Sequence, residues 1–445
     1  MSSNLISIGR SGVNAARSAL EVTSNNMTNA SSVGYVRRSA SMSEVAMGSV
    51  SSAPTAVNLG GVRINGIIRN VDQFRQSEVR RTGSDLARAG AELDGLGNIE
   101  SALETTGVFD SIVDFEASLQ QLVSDPTNGA LRASVVEKAR TMGETFNLAA
   151  NSLDAVGQGL TFEAGAGVDQ VNGIAAELAQ VNARLARAAD GTTDQNSLLD
   201  KRDALLEQLS GQVGITTTFN PDKTVTVLVG GPSGAPLVTG STAGTMSMTP
   251  AGDGTLDFAV DGTAVTLNAG ALAGKNQALA ELTNAHDQLD AIAAGVINTV
   301  NTAQANGVDL AGNPGQPLFS GSTAGDMKMI ASGGDALATA PAGAGANSRD
   351  ATNLVALRGA LATQDPAGSM DKLLFGVSSA VAGRQTTYDT LDTIAGGART
   401  ALLAQSGVDL DEEAVNLVRF QQAYEASGKI IQVANDIFDS ILSIR

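Results

Sequence analysis

The chain has 445 residues, a formal net charge of −18, one His, no Cys, no Trp and only 3% aromatic residues. A length of this order exceeds a single hydrophobic core, so several domains are expected. The missing Cys exclude disulfides and thiolate metal sites, and with His286 as the sole imidazole a two-His metal site within one chain is excluded too. The apolar residues are mostly Ala, Val, Leu and Ile, which suits close helix–helix packing better than a ring-lined cofactor pocket.

In chain order, the first element is an amphipathic helix with a seven-residue repeat. Ile6, Val13, Leu20 and Met27 are spaced by seven, with Gly9, Ala16 and Thr23 between them, and the helix is expected to stop near Asn29. The start is Arg- and Ser-rich, a composition shared with organellar transit peptides, and it lacks the compact apolar segment of a secretory signal. A Ser/Gly-rich, strand-like passage then runs from Val36 to about Arg81. Helical patterns follow over 83–106, 109–124, 130–164, 168–189 and 194–212. Alternation of period two with Gly/Pro turns predicts a small β domain over 214–270, inserted into the helical one. Helical pattern returns at 273–306, yields to a loop-rich stretch, and resumes at 350–363 and 369–406. Two nine-residue near-repeats, starting at Gly240 and Gly321, predict similar turn-to-strand units. The last element again has heptad spacing: Leu410, Leu417, Tyr424, Ile431 and Phe438, with Phe420, Ser427, Ala434 and Ile441 between.

The fold class is therefore mainly α with a small inserted β domain. The two terminal helices carry opposite charge, +3 over 1–40 and −4 over 409–445, and are expected to pair with each other or with neighbouring copies. Residues 1–81 hold nine Arg and no Lys against four acids, a net of +5 in an acidic chain. These Arg are thinly spread with no aromatic platform among them, so nucleic-acid binding is not expected. No run of 18 apolar residues exists, and no membrane insertion is expected. Neither a GxxxxGK[ST] loop nor a GxGxxG motif is present. His286 is expected to face solvent or cap a helix, and the acids 409–413 to form a solvated helix start rather than a Ca²⁺ loop. The reading names no catalytic, cofactor-binding or metal-ligating residue and no cofactor.

After the first helix comes Ser24-Asn-Asn-Met-Thr-Asn-Ala, then Gly34-Tyr35-Val-Arg37. This resembles the N-terminal signature of the bacterial flagellar axial proteins, carried here by Ser24, Asn25, Asn26, Asn29, Gly34, Tyr35 and Arg37. The passage from Ser406 to Ile431 is similar to the other end of the same proteins. Phe420-Gln-Gln-Ala-Tyr424, with Gln421 and Gln422, resembles the hook-associated protein 1 (FlgK) family in particular. So do Ser197-Leu-Leu-Asp-Lys-Arg-Asp203, Leu122-Val-Ser-Asp-Pro-Thr127 and Val308-Asp-Leu-Ala-Gly-Asn-Pro-Gly315. The similarity lapses over 214–270 and 320–348.

The resemblance implies a layered organisation. Residues 1–35 with 407–445 would form the terminal-helix, inner-tube domain, and 36–82 an extended linker with strands. Residues 83–213 with 271–406 would form an elongated helical middle domain, and 214–270 an outer β domain. It implies a structural, non-enzymatic subunit at the hook–filament junction, exported unfolded through the flagellar channel after a transient stay in the cytoplasm. The implied partners are copies of itself in a ring or helical turn, hook protein below and the next junction protein above. The assembly and export-chaperone face would be Leu410, Leu417, Phe420, Gln421, Gln422, Tyr424, Ile431, Ala434, Phe438 and Ile441 of the last helix. A hook or distal rod subunit, or a cytosolic helical scaffold, is the alternative.

Overall fold

The structure, a computed structural model, describes residues 2–32, 34–47 and 58–443. Helix α1 (Ser2–Asn29) is followed by an antiparallel hairpin of β1 (Arg38–Met47) and β2 (Asn58–Arg69), in which Arg38 pairs with Arg69 and Glu44 with Val62. The extended passage ends there, earlier than expected. Asp72 accepts from the Phe74 and Arg75 amides and so caps α2 (Gln73–Glu104), which starts ten residues before the apolar pattern becomes readable. The body continues with α3 (Val108–Ser124), α4 (Gly129–Leu185) and α5 (Thr193–Gln212).

Helix α4 is continuous over 57 residues, or about 85 Å at the α-helical rise, where two helices were expected. The glycines at 165 and 167 that suggest a break serve packing instead. A Cβ on Gly167 would lie 2.8 Å from Leu272 Cδ2, so the missing side chain is what lets the helix that starts at Ala271 approach.

The β region comprises β3 (Ile215–Phe219), β4 (Val225–Val229), β5 (Ala235–Thr239), β6 (Thr242–Ala243), β7 (Met246–Pro250), β8 (Leu256–Val260) and β9 (Thr263–Val265). They form two antiparallel sheets, β3-β4-β5-β6 and β7-β8-β9. Strands of five residues or fewer cannot close a core alone, and Val225, Val227, Val229, Leu237, Phe258 and Val260 are buried in one apolar cluster with the helices. Helix α6 (Ala271–Ala305) returns along α2 and α4. Two pairs of two-residue strands follow, β10 (Gly307–Val308) with β13 (Ala340–Pro341) and β11 (Phe319–Ser320) with β12 (Lys328–Met329). Then come α7 (Thr352–Gln364), α8 (Pro366–Ser406) and α9 (Leu410–Ser443). Pro366 cannot continue α7, so the α7–α8 boundary is fixed by sequence. No helix among the described residues is long and apolar enough to cross a membrane.

The irregular segments are held by buried polar side chains. Arg132, 1% exposed, donates to the carbonyls of Pro126, Gly334 and Leu337 and to Thr339 Oγ1. The two near-repeats dock at equivalent residues on one face of α4. Asn172 brackets the Met246 backbone at 2.7 and 2.9 Å, and Asn147 donates to the Met327 carbonyl at 2.8 Å. Positions 147 and 172 differ by 25 residues, close to seven helical turns, so both amides project to the same side. Phe115 and Phe319 add an edge-to-face pair at 6.4 Å.

Candidate assembly junction

The chain leaves α1 by a tight turn in which the Ser32 amide donates to the Asn29 carbonyl and Tyr35 to Ser32. Gly34 has φ +79, the left-handed region that a β-carbon resists, so glycine sets the exit direction. The turn folds Arg38 back onto Asn26, which is 1% exposed and acts like a surrogate peptide. Its Nδ2 donates to the Arg38 carbonyl at 2.8 Å, and its Oδ1 accepts from the Arg38 amide at 3.0 Å and from Tyr35 Oη at 2.9 Å. Burial pushes the Tyr35 hydroxyl above its ordinary value, against the opposing pull of Arg38, so it stays a donor.

Arg37 touches three elements. Its amide donates to the Ser406 carbonyl at the end of α8, and its carbonyl accepts from Asn70 just after β2. Its guanidinium forks across the first turn of α9, with Nη2 at 2.7 Å from Glu412 Oε1 and Nε at 2.7 Å from Glu413 Oε1. Burial would lower the Arg37 value, but the two glutamates together hold it above the ordinary one. Asp409, Asp411 and Glu412 are exposed as expected for a solvated helix start, but Glu413 is buried, 2% exposed. Asp409 caps the same turn through the Asp411 and Glu412 amides.

Behind this lies a buried ionic cluster on α5. Arg38 Nη2 meets Asp200 Oδ2 at 2.7 Å, and Arg69 spans Asp200 and Asp203 at 2.8 Å each. Asp203 also accepts from Gln76 and from Arg202. Burial would raise the Asp203 carboxyl, but the Arg202 and Arg69 guanidiniums outweigh it and keep the group ionised below the usual range. At Asp200 burial wins over Arg69 and Arg38, and the carboxyl is raised. The N-terminal turn, the hairpin, α2, α5, α8 and α9 thus meet at one junction.

From this junction α1 and α9 run antiparallel, with Gly12 opposite Ser427 and Gly9 opposite Ile431. A Cβ on Gly9 would stand 2.7 Å from Ile431 Cγ1. The seam is made by the small positions: Gly9, Ala15, Ala16, Ala19 and Thr23 are buried, while Ile6, Val13, Leu20 and Met27 are half-buried beside it. On α9, Ala434 is fully buried, and Leu417, Phe420 and Ile431 are half-buried. Leu410 (53%), Tyr424 (43%) and Phe438 (50%) stay open, as do Gln421 and Gln422. A second exposed set, Val415, Val418, Val433 and Ile437, falls on the side of α9 away from α1. Ile441 falls outside the residues whose side chains are described. Among the signature residues, Ser24, Asn25 and Asn29 do not join the junction. The Asn25 and Asn29 amides bond back to carbonyls of α1. Sequence reasoning missed Arg38, Arg69, Asp200, Asp203 and Glu413 as interacting groups. The readable signal was the Asp200/Asp203 pair, three residues apart and so on one face of α5.

His286 is partly exposed, with Nε2 3.6 Å from Asp154 and Nδ1 3.5 Å from Asp290. No group of three or more His, Cys, Asp or Glu among the described residues could hold a metal ion.

These features define a class: a helical protein whose two chain ends form one paired unit, locked to a common body by Arg37 and the α5 acids. The family model for the helical domain of flagellar hook-associated protein FlgK matches residues 93–319, just over half of the chain. That of the C-terminal region of flagellar basal body rod FlgEFG proteins matches 400–444, which covers α9. Flagellar hook-associated protein 1 of Escherichia coli K12 is 27% identical, with both chains covered in full. The protein of that name in Bacillus subtilis 168 is 24% identical over 98% of this chain and 96% of its own. The flagellar hook junction protein FlgK of Burkholderia pseudomallei, a solved structure, aligns over 54% of this chain and 46% of its own at 23% identity, with a TM-score of 0.49. The chain belongs to the FlgK family of flagellar hook-associated proteins.

Proposed function

We propose that this FlgK-family protein is a non-enzymatic structural subunit of the hook–filament junction, exported unfolded and assembled extracellularly through α1 and α9. The observation that carries the reading is the half-open apolar face of α9. With α1 already seated on one side, Val415, Val418, Val433 and Ile437 remain 42–68% exposed along the opposite side of the helix. An apolar stripe of that length fits contact with a neighbouring copy in a ring or helical turn, because a heterologous surface repeats until the turn closes. Hook protein below and the next junction protein above are the further partners in this reading, and an export chaperone covers the stripe before secretion. The terminal-helix unit would be the inner layer, α2–α8 the middle and the region 214–270 the outermost part.

Immuno-electron microscopy of detached flagella tests it. Label confined to the hook–filament boundary is the expected result, whereas label along the hook or rod, or only in cell lysates, would reject it. Exposed apolar residues by themselves would also suit a hook or rod subunit. That alternative requires the purified protein to polymerise alone into long tubes, which a junction subunit does not do.

A further inference from the structure

Residues Ser77, Arg80 and Ser84 lie three and four apart on α2 and so share one face. That face forms a wall of a cleft of about 410 Å³, completed by the end of α5, by Thr216 and Thr217 of β3, and by the turn after β4. Two groups in the wall lack a hydrogen-bond partner within the protein. Ser84 is 4% exposed and its Oγ makes no hydrogen bond. Arg80 is 6% exposed, and among the described residues its guanidinium makes no hydrogen bond or ion pair; its one close contact is the face of Phe219, 6.0 Å away.

The neighbouring carboxylates do not take it. Asp203 already accepts two donors on each oxygen, from Arg202 on one and from Arg69 and Gln76 on the other. Asp200 is shared by Arg38 and Arg69, and Glu207 is paired with Arg399. Arg202 also stacks on Phe219, at 4.6 Å, but its donors are taken by Asp203 and the Lys223 carbonyl. Four buried arginines, 38, 69, 80 and 202, therefore face two buried aspartates, a local cationic surplus inside a chain of net charge −18. A guanidinium stays charged on burial, so an acceptor entering from the cleft would complete the unpaired one. Burial also lowers the Arg80 value, the mark of a cation held without enough counter-charge.

We propose that this cleft is an oxyanion-binding site in which the Arg80 guanidinium and the Ser84 hydroxyl hold a phosphate or carboxylate group. Arg81 stands at the mouth beside Asp85, at 3.3 Å, and Ser77, Thr216 and Thr217 supply further hydroxyls. The same chemistry fits a free small anion or the carboxylate of an acidic side chain from another protein molecule.

Calorimetric titration of the full-length protein at constant ionic strength, with inorganic phosphate in one arm and a short poly-glutamate peptide in the other, separates the two sources. Saturable binding of either is expected, and the tighter one names the source. In Arg80→Met that binding should weaken at least about tenfold, since a charge-assisted pair is lost, while Arg80→Lys should retain part of it. Without anion, Arg80→Met should melt above the wild type, because methionine needs no counter-charge. Should Arg80→Met fail to fold, Ser84→Ala removes one hydroxyl and is expected to weaken binding by about fivefold. Absence of saturable binding of both probes, or equal affinity in wild type and the Arg80 or Ser84 variant, overturns the proposal.

Discussion

Arg37 and Glu413 are 376 positions apart, and each is an ordinary surface residue in composition terms. Folding buries Glu413 to 2% exposure against Arg37, and the cost of removing one partner becomes the cost of an unpaired buried charge. Arg37→Ala should therefore destabilise by about 3 kcal/mol, and adding Glu413→Gln should restore much of it; urea denaturation of the single and double variants measures both. Glu92 is the opposite case. It is 2% exposed, and burial raises its carboxyl despite the Arg384 and Arg88 guanidiniums. The folded protein then binds its proton more tightly than the unfolded chain, so ionisation of Glu92 subtracts from stability at neutral pH. Glu92→Gln should thus melt higher than wild type near pH 7, and the gap should close on acidification as the wild-type carboxyl protonates. A gap that widens on acidification would contradict the sign.

At the scale of the element, glycine has opposite meanings in two helices. Gly9 in α1 faces Ile431 and the Ser427 carbonyl of α9, while Gly97 in α2 has nothing within 4 Å of where a Cβ would sit. Adding the same methyl group should therefore have opposite effects. Gly9→Ala forces Ile431 aside and should cost about 1–2 kcal/mol, while Gly97→Ala should gain about 0.5–1 kcal/mol from helix propensity alone; thermal melts of both variants test the contrast. The heptad pattern made the existence and pairing of α1 and α9 legible. It did not reveal that Gly9, Ala16 and Thr23 make the seam while the larger Ile6, Val13, Leu20 and Met27 flank it. Close backbone approach favours small residues, and a scale of hydrophobicity underweights them. Likewise the start of α2 was hidden, because Gln73 to Arg81 is polar and only the Asp72 cap marks it.

Over the whole molecule, the charge asymmetry of the sequence turns into internal pairing. Arg37, Arg38 and Arg69 from the basic first part find Glu412, Glu413, Asp200 and Asp203 in the acidic remainder. That closes the two chain ends on one body and leaves the outer side of α9 open. Val433, 54% exposed, belongs to that open side. Val433→Asp should leave the stability of the monomer within about 0.5 kcal/mol of wild type, yet abolish incorporation into flagella and chaperone binding, scored by motility and co-purification. Intact incorporation and chaperone binding would detach the α9 stripe from assembly.

By itself the sequence determined the mainly helical class, the paired ends, the position of the β region and the family signature. Each of these rests on local periodicity or on a contiguous motif, which neighbours in sequence fully specify. Tertiary structure alone decided that α4 runs unbroken, that Glu413 of α9 is buried, and that the α5 aspartates receive arginines from the N-terminal turn and the hairpin. It also left Arg80 in the α2 cleft without a partner. Those features depend on charges and small side chains brought together over more than a hundred residues, where burial and the count of available partners, not composition, set the energy.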